Sequence, residues 1–95
     1  ELVAETDPYS GKTGEFRVKL LYRGAPLPGA LVTAFNKAVP GKRLAEVRTD
    51  ASGRAQLTLD RKGIWLLNTV HLLPASKNSG AQWETLWASL TFEIP

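Results

Sequence analysis

The chain has 95 residues, 43% of them hydrophobic, with eight glycines, six prolines and no cysteine. That length suits a single domain closing one core without metal or disulfide, and the missing thiols exclude a disulfide framework, a thiolate metal site and a cysteine nucleophile. Twelve Lys and Arg against nine Asp and Glu leave a net charge of +3, but the cations are scattered (Arg17, Lys19, Arg23, Lys42, Arg43, Arg61, Lys62), not gathered in the aromatic-flanked stripe that nucleic acid requires.

Taken in order, Glu1 to Glu5 is predicted as a short strand. It ends at Asp7-Pro8, because Pro8 has no amide to pair. Tyr9 to Gly14 reads as a loop. From Glu15 the alternation is clean: Phe16, Val18, Leu20 and Tyr22 on one face, Arg17, Lys19, Leu21 and Arg23 on the other, the pattern of a half-buried strand. Gly24 to Gly29, with two prolines and two glycines, is a turn. Ala30 to Phe35 is rich in β-formers, and the chain leaves it through Pro40-Gly41. Arg43 to Arg48 is a shorter, polar strand, expected at a sheet edge where its charges discourage pairing with another molecule.

Thr49-Asp50-Ala51-Ser52-Gly53 reads as a tight turn. Asp50 and Ser52 can bond back to neighbouring amides, and Gly53 can take a positive φ. After it, Ala55, Leu57 and Leu59 alternate with Gln56, Thr58 and Asp60. A second turn, Asp60 to Gly63, opens onto the apolar run Ile64 to Leu73. These two strands are expected to form the central hairpin of a β-sandwich. Pro74 to Gln82 is the longest connection without periodicity, the kind that carries function or is simply mobile. In the last strand, Trp83 to about Ile94, Leu86, Ala88, Leu90, Phe92 and Ile94 form the apolar face, with Trp87, Ser89, Thr91 and Glu93 opposite.

Seven strands with turn signals between them and no helical period predict an all-β fold: one antiparallel sandwich domain over residues 1–95, immunoglobulin-like or transthyretin-like, of Greek-key type. The Cys…Trp…Cys pattern of antibody domains is missing. No apolar run reaches the roughly twenty residues needed to span a bilayer as a helix. The chain begins at Glu1 rather than Met, so the expectation is a fragment of a longer secreted protein whose address label lies elsewhere.

His71 is the only histidine. It shares a strand face with Trp65, Leu67, Thr69 and Leu73, while Asn68 marks the other. It can serve as a metal ligand, a pH-sensitive group or a partly buried imidazole bonded to its surroundings. Asp50, Asp60 and Glu84 have the chemistry to complete an oxygen-rich site, yet no spacing groups them with His71. Ser52, Ser89, His71 and Asp50 supply the residue types of a hydrolytic triad, but no strand-to-helix nucleophile elbow accompanies them. Paired acids facing a cleft are not indicated either. The expectation is a protein that is not an enzyme. Trp65 reads as core. Trp83 and Trp87 lie on one side of the last strand and, with Glu84, make a candidate contact surface for a sugar ring or a partner domain, or else they cover one end of the sandwich.

Several pieces together resemble a known family. They are Glu1-Leu2-Val3 with Asp7-Pro8-Tyr9, Gly24 to Ala30, Thr49-Asp50 with Gly53, Gly63 to Leu66, Val70-His71, Trp83-Glu84, and Trp87-Ala88-Ser89-Leu90-Thr91-Phe92. In this order they resemble the C-terminal β-sandwich of a bacterial periplasmic family of unknown function whose relatives are associated with nickel and cobalt uptake. The closing Trp-Ala-Ser-Leu-Thr-Phe block is the most specific piece, whereas the Thr-Asp-x-x-Gly turn occurs in many sandwich modules. The resemblance implies a periplasmic or secreted location and an accessory role in transition-metal acquisition. It places nickel or cobalt in the full protein, with no cofactor in these residues beyond His71 as a candidate ligand. The implied partners are a transporter, another envelope protein or an N-terminal region carrying further histidines. The alternatives are a carbohydrate- or protein-binding module and a structural spacer.

Overall fold

The computed structural model describes residues 1–10, 12–74 and 83–95, and the side chains of these except at 73, 74, 83 and 84. Eight strands follow in order: β1 (Leu2–Ala4), β2 (Gly14–Tyr22), β3 (Ala25–Pro26), β4 (Leu31–Asn36), β5 (Ala45–Arg48), β6 (Arg54–Leu59), β7 (Gly63–Pro74) and β8 (Trp83–Ile94). A 3-10 turn occupies Pro8–Ser10, but the first strand stops earlier than Pro8. It ends at Ala4, the Glu5 amide makes the last backbone bond to Arg17 O, and the Thr6 hydroxyl then accepts from the Arg17 amide at 2.9 Å. Seven strands coincide with those expected. The eighth, β3, is a two-residue piece inside the Gly24 to Gly29 turn, paired through Leu21↔Pro26 and Tyr22↔Ala25.

Every ladder is antiparallel, and the strands form two four-stranded sheets. In the first, β2 is central, with β1 on one edge and β6 on the other. β3 shares the β6 edge: the Leu20 amide donates to Gly53 O at 2.7 Å while Leu20 O accepts from the Leu27 amide at 3.0 Å. The second sheet has the order β5-β4-β7-β8, so β5 is indeed an edge strand.

The central hairpin is corrected by this arrangement. β6 pairs with β2 in one sheet, while β7 pairs with β4 and β8 in the other. The Asp60 to Gly63 turn therefore crosses between layers instead of joining neighbours. Trp65 explains the crossing: its ring is fully buried, and its indole Nε1 donates to Arg61 O at 2.9 Å, tying the start of β7 back over the turn. Burying so large a side chain outweighs the small local advantage of a tight hairpin.

The alternating positions meet between the sheets. Val18, Leu20, Leu57, Leu59, Val32, Ala34, Trp65 and Leu67 are fully buried. Phe16 of the first sheet stacks on Phe92 of the second, with ring centroids 4.4 Å apart. Leu86, Ala88 and Leu90 pack against this core while remaining partly exposed. Buried hydroxyls find partners, as buried polar groups must: Thr69 Oγ1 donates to Leu31 O at 2.6 Å, and Thr49 Oγ1 donates to Leu27 O at 2.7 Å.

β7 and β8 run alongside each other over their full length. β4, however, pairs with β7 only from Trp65 to Asn68, with the Thr69 hydroxyl still reaching Leu31 O. Beyond that point the β7–β8 pair continues as a two-stranded arm.

Candidate functional site

β7 is apolar on both sides. Its odd positions Trp65, Leu67 and Thr69 turn inward and are buried. Its even positions face out from the second sheet, where Ile64 is 39% exposed, Leu66 38%, Val70 48% and Leu72 61%. On β8 the same outward side carries Trp87, 74% exposed. The exposed indole is where the alternation of the last strand places it.

Asn68 interrupts this apolar face. It sits opposite Thr33 of β4 and Ser89 of β8, and Thr33 sits opposite Glu46 of β5. Thr33 Oγ1 donates to Glu46 Oε2 at 3.3 Å. A polar row thus crosses all four strands. Among the described residues, no hydrogen bond engages the Asn68 carboxamide.

Three depressions meet at Asn68. The largest, about 580 Å³, is lined by Phe35, Ile64, Leu66, Pro40, Lys37 and Thr91 beside Asn68. The second, about 180 Å³, lies toward Val70, Trp87 and Ser89. The third, about 250 Å³, lies toward Leu31, Thr33 and Glu46. One wall of the largest is held in place by Asn36, whose Oδ1 accepts from the Ala38 amide at 2.9 Å and whose Nδ2 donates to Lys62 O at 3.3 Å. The Lys37 amide adds a bond to Ile64 O at 2.9 Å. The groove is built by ordered backbone, as preformed binding clefts are.

The outer face of the first sheet is different in kind. Glu15 and Arg17 of β2, with Arg54, Gln56 and Thr58 of β6, present charge and hydroxyls to solvent. Arg54 Nε bonds Glu5 Oε1 at 2.9 Å there, an exposed pair of small energetic weight.

The other residues singled out from sequence are dispersed. His71 is half-buried on the inner side of the arm, opposite Leu86. Among the described residues no three His, Cys, Asp or Glu side chains gather around a point. Asp50 is occupied by its own turn: Oδ1 accepts from the Ser52 hydroxyl at 2.7 Å and the Ser52 and Arg54 amides at 2.9 and 3.0 Å. The Ser52 hydroxyl first, then these amides, hold its carboxyl below the usual carboxylate range. Asp60 pairs with Arg61 through two 2.8 Å bonds, and the guanidinium lowers its pKa in the same sense. Residues 75–82 of the Pro74 to Gln82 loop and the side chains of Trp83 and Glu84 lie outside the described residues.

Sequence reasoning missed Ile64, Leu66, Val70 and Leu72 as surface residues. A strand buried on both faces and a strand with one exposed apolar face have the same hydropathy. Asn68, the one polar residue on the outer side, was the available signal.

Neither curated proteins nor solved structures yield a match to this chain. A family model does match, over residues 1–72, spanning β1 and most of the way along β7. The chain therefore belongs to the family described as a domain of unknown function, DUF4198.

Proposed function

We propose that the chain is a non-enzymatic binding domain of a bacterial envelope protein, periplasmic or secreted, which docks a protein partner through the outer face of its four-stranded sheet. The observation that carries this reading is the contrast between the two outer faces. One is charged and hydroxylated, while the other exposes Ile64, Leu66, Val70, Leu72 and Trp87 side by side. Contiguous apolar surface of this kind on a soluble domain marks a contact site. The aliphatic character of four of the five residues favours a protein over a sugar, for which aromatic platforms would dominate. The envelope location is supported by the family resemblance.

The test is photo-crosslinking in cells producing the protein, with the photoreactive residue at position 70 or 72 and, as a control, at position 58. Adducts from 70 and 72 but not from 58 support docking on this face. Equal silence at all three positions refutes it.

A role in nickel or cobalt uptake is supported by the resemblance and by His71, which the arm leaves partly accessible. Calorimetric titration with Ni²⁺ or Co²⁺ decides it: heat lost in His71→Ala supports the role, and no heat from either protein removes it for these residues.

A further inference from the structure

We infer that the partner on this face is a second copy of the chain, packed sheet to sheet across a two-fold axis that crosses β7 at Asn68; the inference rests on the docking reading above. Along the outer side of β7 stand Ile64, Leu66, Asn68, Val70 and Leu72 in succession. A two-fold lying along the polar row sets Val70 of one copy over Leu66 of the other, and Leu72 over Ile64. Every aliphatic position then meets an aliphatic one.

The same rotation places the largest exposed side chain. Trp87 precedes Ser89 by two residues on β8, and Thr91 follows it by two. Rotation about the Asn68–Ser89 row brings the indole of one copy to the level of Thr91 in the other. Thr91 and Leu66, its neighbour across the ladder, line the 580 Å³ groove. Each copy therefore offers a projecting ring, 74% exposed, and a groove at the matching distance on the opposite side of the axis. Because ring and groove lie on one face and are exchanged by one two-fold, the assembly closes as a dimer and does not propagate.

Asn68 supplies the register. A carboxamide carries both donors and acceptors, so two of them facing each other across the axis satisfy one another. A single buried Asn fixes register in coiled coils by this means, at some cost in stability. A slip by two residues would bury Asn68 against Leu66 or Val70 with its hydrogen bonds unmade.

Size is consistent with this. The five exposed apolar side chains present roughly 500 Å² per copy, against about 800 Å² per partner in a standard interface, and the polar row with the rim of Phe35 and Pro40 supplies the remainder. Two face-packed sheets about 10 Å apart accommodate the geometry.

Light scattering and sedimentation of the 1–95 chain between roughly 1 and 200 μM test the inference. The expected mass is twice 10.4 kDa at the upper end. Trp87→Ser should weaken association by roughly 30-fold or more, as removal of a central aromatic anchor does. Asn68→Asp should abolish it at neutral pH, because two carboxylates then face each other. Both variants should keep the circular-dichroism melt of the dilute wild type, which separates loss of contact from loss of fold. A wild-type mass of 10.4 kDa throughout, or undiminished association in both variants, overturns the inference. Crosslinks from position 70 to a species of another mass overturn it while leaving docking intact, and no crosslink overturns both. A monomer whose Trp87 emission shifts with a glycan overturns it in favour of a saccharide.

Discussion

Gly53→Ala tests how closely the turn ahead of β6 is packed on β2 and β3. Gly53 is buried at φ 76° in the turn between β5 and β6. A Cβ there would sit 2.8 Å from Leu20 O, 3.0 Å from the Leu27 amide nitrogen and 3.0 Å from Pro26 Cβ. Two of these are backbone atoms already bonded to each other at 3.0 Å, so neither can swing aside. The left-handed conformation costs a side chain about 1–2 kcal/mol. Disturbing the Leu20 bonds to Gly53 and Leu27 adds about 1–3 kcal/mol. The expected loss is about 2–5 kcal/mol, a large share of the ~5–14 kcal/mol typical for a domain of this length. In a thermal melt it should appear as a fall of roughly 10–25 °C. Gly29→Ala is the control: φ is also 76°, but no atom lies within 4 Å of the added carbon, so only the conformational ~1–2 kcal/mol applies. Equal losses in the two variants, by denaturant and thermal unfolding, would refute the argument that the turn is closed against β2 and β3.

Three further outcomes follow from buried or bonded groups. Thr49→Val removes an Oγ1 that donates to Leu27 O at 2.7 Å and accepts from the Ala30 amide at 3.0 Å; urea unfolding should show a loss of about 1–3 kcal/mol. The Phe16–Phe92 stack, with planes 12° apart, should give a coupling of about 0.5–1.5 kcal/mol in a double-mutant cycle with Leu at each position. Asp50 titrates below its ordinary value of 3.8 when folded, so its contribution is fully present at neutral pH and drains away as pH falls through the lowered pKa. Melting temperature should therefore drop less on acidification in Asp50→Asn than in the wild type, and identical pH profiles would exclude a role for the turn carboxylate.

Much of the fold is legible in local pattern. Phe16, Val18 and Leu20 alternate with Arg17 and Lys19, and the structure buries the first set and exposes or half-exposes the second. The short first strand lies inside the predicted Glu1 to Glu5, although it ends at Ala4, ahead of Pro8. Asp50, Ser52 and Gly53 form the bonded turn that their chemistry suggests. Trp65 in the core and Trp87 facing outward follow from parity along their strands.

The arrangement of those strands was not legible. The Asp60 to Gly63 segment looks like a hairpin turn because turn chemistry records a reversal of direction, and a reversal between sheets has the same composition as one within a sheet. Likewise the outer side of β7 has core hydropathy but no second layer over it.

By itself the sequence determined where strands begin and end and which side of most of them turns inward, because side-chain alternation and turn residues act over a few bonds. Tertiary structure alone decided that β6 and β7 part into different sheets, that a polar row crosses the second sheet at Asn68, and that Ile64, Leu66, Val70 and Leu72 reach solvent. Pairing and exposure depend on which distant segment lies alongside, and residue order records no such neighbour.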